Sequence, residues 1–179
     1  MKPPQPGELT FGFHPTSHGF GWVAFSSPLN IYDWGLCEMR TEKNAGCLRK
    51  LERRLARLEP HTLVLEAFEA PNLGRSDRVI RLCRAVIELA RGRGMEVAIY
   101  TREEVQSCFA PVGAKTRQEV AEAIGRSFEV LRGRLPKPRR PWDGQPRRMA
   151  IFDAAAVVLT HFQLGTSRLF SELLEEGRG

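Results

Sequence analysis

The 179-residue chain has only 4 cysteines, and none of them stand in a C-x-x-C pair. Cys37, Cys47, Cys83 and Cys108 therefore fit reduced cytosolic thiols better than a disulfide frame or a zinc site. No apolar run reads as long as the roughly 18–20 residues of a membrane span. The opening segment, Met1 to Gly7, lacks the apolar core of a secretion signal. The expectation is a cytoplasmic protein with no membrane partner. Internal repeats are also missing. Hydrophobic residues make up 42% and charged residues 27%, so disorder of the whole chain is not expected. A single domain of this size buries roughly 68–70% of its unfolded surface and needs no covalent staples.

Charge is present in excess, and it is local. The formal net charge is +6. Between Gly133 and Arg148 stand Arg134, Lys137, Arg139, Arg140, Arg147 and Arg148, opposed by Asp143 alone, so this window carries +5 of the +6. Such a patch beside a balanced body points to a polyanion, with nucleic acid first. The plainer reading is a solvated basic loop. Trp142 lies inside the window, where an aromatic among arginines either stacks on an unpaired base or pins the loop to the body. Pro138, Pro141 and Pro146 stiffen the segment.

The periodicities predict β-β-β-α-β-α-β-α-α. Residues 1–8 read as a Pro-rich tail, 9–165 as the domain, and 166–179 as a tail or short helix. Leu9 to Phe25 reads as a hairpin turning at His14 to Gly19, and Asn30 to Cys37 as a third strand. A helix with Cys47, Leu48, Leu51, Leu55 and Leu58 on its inner face ends at Glu59-Pro60. Thr62–Glu66 reads as a buried strand, and Val79 to Ala90 as an amphipathic helix closed by Gly92 and Gly94. Glu96 to Thr101 reads as a strand, followed by a short helix from Arg102. Thr116–Leu131 and Met149–Phe162 read as further helices, with another short one after Arg168. This order implies an α/β fold, a mixed sheet of three antiparallel strands then alternating helix and parallel strand, with helices on both faces.

In such sheets, sites form at the carboxyl ends of strands. His14 ends the first strand and Glu66 ends the fourth. Asp153 opens the last apolar helix, where an unpaired buried carboxylate costs several kcal/mol. Each has a structural reading: a turn histidine, an arginine-paired strand end, a helix cap. Together they make a candidate divalent-metal centre and candidate catalytic set. Thr16 and Ser17 are candidate phosphate contacts or ordinary turn residues. Arg75, Arg78, Arg81 and Arg84 form a slanted comb on one helix, and Arg75, Arg78 and Arg102 are candidate backbone contacts.

Four segments carry a resemblance. Phe11-Gly12-Phe13-His14-Pro15-Thr16-Ser17-His18-Gly19-Phe20-Gly21-Trp22-Val23 resembles the opening hairpin of the RuvC family of Holliday-junction resolvases, DNA endonucleases of RNase H-like fold. Leu63-Val64-Leu65-Glu66 is similar to that family's second motif, a strand ending in a metal-binding Glu. Gly113 to Val120 resembles its Gly-rich stretch before a helix, which makes Lys115 and Arg117 candidate DNA contacts. Phe152-Asp153-Ala154-Ala155-Ala156 running to His161 resembles its last motif.

The resemblance implies an RNase H-like fold and a metal-dependent endonuclease acting on branched or structured DNA, as a homodimer. It implies one or two Mg²⁺ or Mn²⁺ ions held by carboxylates. His14 stands where the family has Asp, and Ala150 where another acid often stands, with Glu69 a candidate substitute. The imidazole favours Mn²⁺. The alternative is a DNA-binding protein that kept the fold and lost efficient cleavage; RNA stays open as the nucleic acid. Arg139, Arg140, Trp142, Arg147 and Arg148 complete the candidate nucleic-acid contacts.

Overall fold

A computed structural model describes residues 8–176, with side chains through residue 167. The Pro-rich segment 1–8 thus lies outside the described residues except for Glu8. Five strands form one sheet: β1 (Thr10–Pro15), β2 (Gly19–Ser27), β3 (Asn30–Glu38), β4 (Thr62–Glu66) and β5 (Glu96–Tyr100). Their order across the sheet is β3-β2-β1-β4-β5. β1–β2 and β2–β3 pair antiparallel, and β1–β4 and β4–β5 pair parallel. This is the expected mixed sheet, with helices on both faces.

The period-2 alternation of strands sorts the residues into two cores. Phe11, Phe13, Phe20, Trp22, Leu63 and Leu65 face α1 (Lys43–Leu58) and α2 (Asp77–Gly92). Val23, Phe25 and Val64 face the other way, toward α3 (Arg102–Phe109), α4 (Arg117–Ser127), α5 (Glu129–Arg132) and α6 (Met149–Glu176). His14 and Glu66 share that second parity. The sequence alternation therefore sends both toward α6, at adjacent strand ends.

α6 lies very close to the sheet because both surfaces are stripped of bulk. A Cβ built on Gly12 would sit 2.4 Å from the Ala154 carbonyl oxygen, and one on Gly21 would sit 2.7 Å from the Ala150 Cβ. Ala150 is thus closed between the helix and β2, and its side chain meets Gly21 rather than open space.

Three expectations change. The helix expected over Thr116–Leu131 breaks at Phe128, which is extended (φ −123°, ψ 103°), into α4 and α5. Phe128 turns inward to meet Phe25 edge-on at 5.4 Å. The last helix does not stop at Phe162 with a separate helix after Arg168. It runs unbroken from Met149 to Glu176, since nothing in it breaks a helix except the tolerated Gly165. Finally, Met149–Ser167 is long and apolar enough by composition to cross a membrane. Here 56% of that stretch is buried inside the fold, where small side chains seat it on β1 and β2. All four cysteines are free thiols.

Candidate functional site

The C-terminal ends of β1 and β4, the start of α6 and the first turns of α2, α3 and α4 surround a cleft of about 700 Å³. It is lined by His14, Thr16, Ser17, Glu66, Arg75, Arg78, Arg102, Arg117 and Asp153, among others. The structure thus brings together the three candidate centre residues and four of the candidate cations. Each element is fixed by local chemistry. Ser76 caps α2 by accepting from the Val79 N–H. Thr101 with Glu104, and Thr116 with Glu119, form capping boxes that start α3 and α4. Those caps set where Arg75, Arg102 and Arg117 leave the backbone.

The carboxylates are already engaged. Glu66 Oε1 accepts from Arg75 at 3.4 Å and from Arg102 at 3.3 Å. Asp153 takes the Arg117 guanidinium in a fork: Nε donates to Oδ1 at 2.8 Å, and the second nitrogen donates to Oδ2. His14 Nε2 lies 3.5 Å from Asp153 Oδ2. Burial lowers the His14 pKa, against the opposing pull of Asp153, so its imidazole is neutral at pH 7. Burial works against charge on Arg117 too, but its bonds to Asp153 prevail and raise its pKa. The cleft then holds four guanidinium charges against two carboxylates, a balance of +2. Two buried polar atoms, His14 Nδ1 and Arg75 Nε, have no hydrogen-bond partner.

This donor set does not fit the metal centre implied by the sequence resemblance. Hard cations need oxygens free to coordinate them; here Arg117 takes both oxygens of Asp153 and Arg75 and Arg102 share Glu66 Oε1, which leaves Glu66 Oε2 as the oxygen without an arginine. Among the described residues, no group of three or more His, Cys, Asp and Glu side chains is arranged to hold a metal ion. Glu69 offers no substitute, since its Oε1 binds Arg84 Nε at 2.6 Å in a separate groove. Ala150 faces Gly21, and an acid there has no space.

Other candidates fall outside the cleft. Lys115 is exposed and absent from the lining. Arg139, Arg147 and Arg148 line a second groove between the basic segment and the end of β3, where Arg147 donates to Glu38 at 2.8 Å. Arg140 and Trp142 are absent from that lining and lie against each other, with Trp142 76% exposed. Thr16 and Ser17 line the cleft and also do turn work: Thr16 Oγ1 accepts from the His18 N–H, and Ser17 Oγ shares a hydrogen bond with His18 Nδ1. Sequence reasoning missed Gln106 and Gln145. Gln106 stands one turn after Arg102 on α3, a spacing that points it the same way. Gln145 comes from the basic segment and carried no signal.

Comparison with solved structures shows that this five-stranded mixed sheet, with a cleft at its strand ends, has a RuvC-like fold. RuvC of Thermus thermophilus in complex with a Holliday junction substrate superposes with a TM-score of 0.64, at 17% identity, over 89% of this chain and 95% of that one. The Thermus thermophilus RuvC structure gives 0.62 at 20% identity, over 88% and 97%. The yeast mitochondrial Holliday junction resolvase Ydc2 gives 0.61 at 15% identity, over 96% and 86%. No family model matches the chain, and no curated protein does.

Proposed function

We propose that this chain is a RuvC-like protein that binds branched or otherwise structured DNA, holding the phosphodiester backbone in the cleft with arginines and leaving it uncut. The charge balance of the cleft carries this reading. Arg75, Arg78, Arg102 and Arg117 outnumber Glu66 and Asp153 beside a neutral His14. A cleft of that sign draws a phosphate in without a metal bridge. Guanidinium forks suit phosphate oxygens as well as carboxylates, so an entering phosphate competes for groups already aimed at the centre. The solved neighbours support DNA as the partner, since one of them was captured with a Holliday junction. A four-way junction has two-fold symmetry, which suits a homodimer.

The second reading is a metal-dependent endonuclease. Its support is the convergence of Glu66 and Asp153 in one cleft, and it requires Arg75, Arg102 and Arg117 to leave those carboxylates. Incubating a labelled four-way junction, a duplex and a single strand with Mg²⁺, Mn²⁺ or a chelator separates the two. The expected outcome is junction-preferring, salt-sensitive complexes with intact strands in every buffer. Cutting with either metal, lost in Glu66→Gln, establishes the nuclease instead. Absence of any complex at low salt overturns both.

A further inference from the structure

The chain's three tryptophans each carry an arginine, yet they are placed differently. Trp22 is 1% exposed, stacked on Phe11 at 5.5 Å with Arg54 above it. Trp34 is half-buried under Arg134 at 4.9 Å. Trp142 is 76% exposed, with Arg140 lying 5.8 Å from its ring centre. A ring pinning the loop to the body would be covered by the body, and this one is not.

The backbone that carries the ring is nonetheless braced. Arg140-Pro141-Trp142-Asp143 forms a β-turn, with the Asp143 N–H donating to the Arg140 carbonyl at 3.0 Å and Pro141 in its favoured second position. Asp143 Oδ2 accepts from the Arg140 N–H at 3.0 Å, and the Asp143 carbonyl accepts from Arg139 at 2.9 Å. Trp142 thus sits at the third position of a braced turn, at the tip of the segment. The base of the segment is tied by Arg147 to Glu38. Gln145, three residues past Trp142, lines the cleft. Three Cα steps span at most about 11 Å, which is about three base steps of a duplex strand.

We infer that Trp142 is a stacking platform for an unpaired base, next to the strand whose phosphates lie in the cleft. This rests on the reading of the chain as nucleic-acid-binding, and it narrows the ligand to DNA with bases splayed out of the duplex. A flat, exposed ring among cations offers a π-face to any base, while Arg139, Arg140, Arg147 and Arg148 neutralise the adjoining backbone. Because the turn is braced before binding, the backbone under the ring is set in advance and costs little freedom on stacking.

The test compares a forked duplex with a fully paired duplex of equal length. The fork carries 2-aminopurine among its first three unpaired nucleotides. Binding is measured by anisotropy and stacking by quenching, for wild type, Trp142→Ala and Trp142→Phe. Wild type should prefer the fork by about tenfold and quench the probe. Trp142→Ala should lose both the preference and the quenching, and Trp142→Phe should keep most of each. A fork preference and quenching that survive in Trp142→Ala overturn the inference and leave nucleic-acid binding intact. If wild type binds neither DNA, the proposed function falls and the platform with it.

Discussion

The cleft and the basic segment are both rich in arginine, yet they are built in opposite ways. In the cleft, the side chains of His14, Glu66, Arg75 and Asp153 are only 8–13% exposed, and strand ends or helix starts aim them at one another. Three of the four guanidinium groups there meet a carboxylate. In the segment from Gly133 to Arg148 the cations ride on a loop, largely open to water, and Trp142 projects from it. Surface ion pairs of that kind contribute little to stability. The difference teaches that net charge and preorganisation are separate quantities. The segment supplies nearly all the surplus charge, and the cleft supplies the fixed geometry.

The contrast can be broken from either side. The largest effect is expected from Arg75→Ala, Arg102→Ala and Arg117→Ala together. Their loss turns the cleft negative, so junction affinity at low salt should fall by about 100-fold or more, and the salt slope should shrink by about 2–3. Anisotropy titrations across a salt series read both. Next comes Gly12→Val, whose added carbons press on the Ala154 carbonyl and lift α6 from β1. It should cost about 2–3 kcal/mol in chemical denaturation. Replacing Arg139, Arg140, Arg147 and Arg148 with Ala should lower affinity by about tenfold at low salt. Fold stability should move by no more than about 0.5 kcal/mol, since these side chains lie at the surface.

Asp153→Asn sharpens the comparison by separating stability from binding. It frees Arg117, so the fold should weaken by about 1 kcal/mol while junction affinity rises a few-fold. A loss of affinity would mean that Asp153 helps to hold the ligand. The smallest effect concerns pH. The His14 pKa is lowered by burial in the folded state, so the unfolded chain binds more protons as pH falls. Stability conferred by the neutral imidazole is complete above about pH 6.5 and drains away below it. His14→Gln should flatten that slope in denaturation curves taken from pH 7 to pH 5.

Much of this was readable in advance. Thr62–Glu66 is a short apolar run that follows the breaker Pro60, and it is a strand with those limits. His14 and Glu66 read as strand ends, and the parallel register of β1 and β4, with Phe13 opposite Leu65, is what puts them on one face. What could not be read is pairing across elements. Arg75 precedes α2 and Arg102 opens α3, and only the parallel neighbours β4 and β5 bring both to Glu66. Ala150 reads as a missing acid, but its surroundings show a position closed by Gly21. The break at Phe128 is a tertiary effect, because the local sequence favours helix and the aromatic contact with Phe25 overrides it. Gln145 reaches the cleft through the path of the loop, which no periodicity encodes.

In the proposed function, arginines hold the nucleic-acid backbone in the cleft without a metal. The measurement that tests it most directly is four-way-junction affinity at fixed ionic strength, taken in excess chelator and again with millimolar Mn²⁺. The same affinity within about twofold is expected, because the cleft is already positive. An affinity that appears only with Mn²⁺, and disappears in Glu66→Gln, would contradict it.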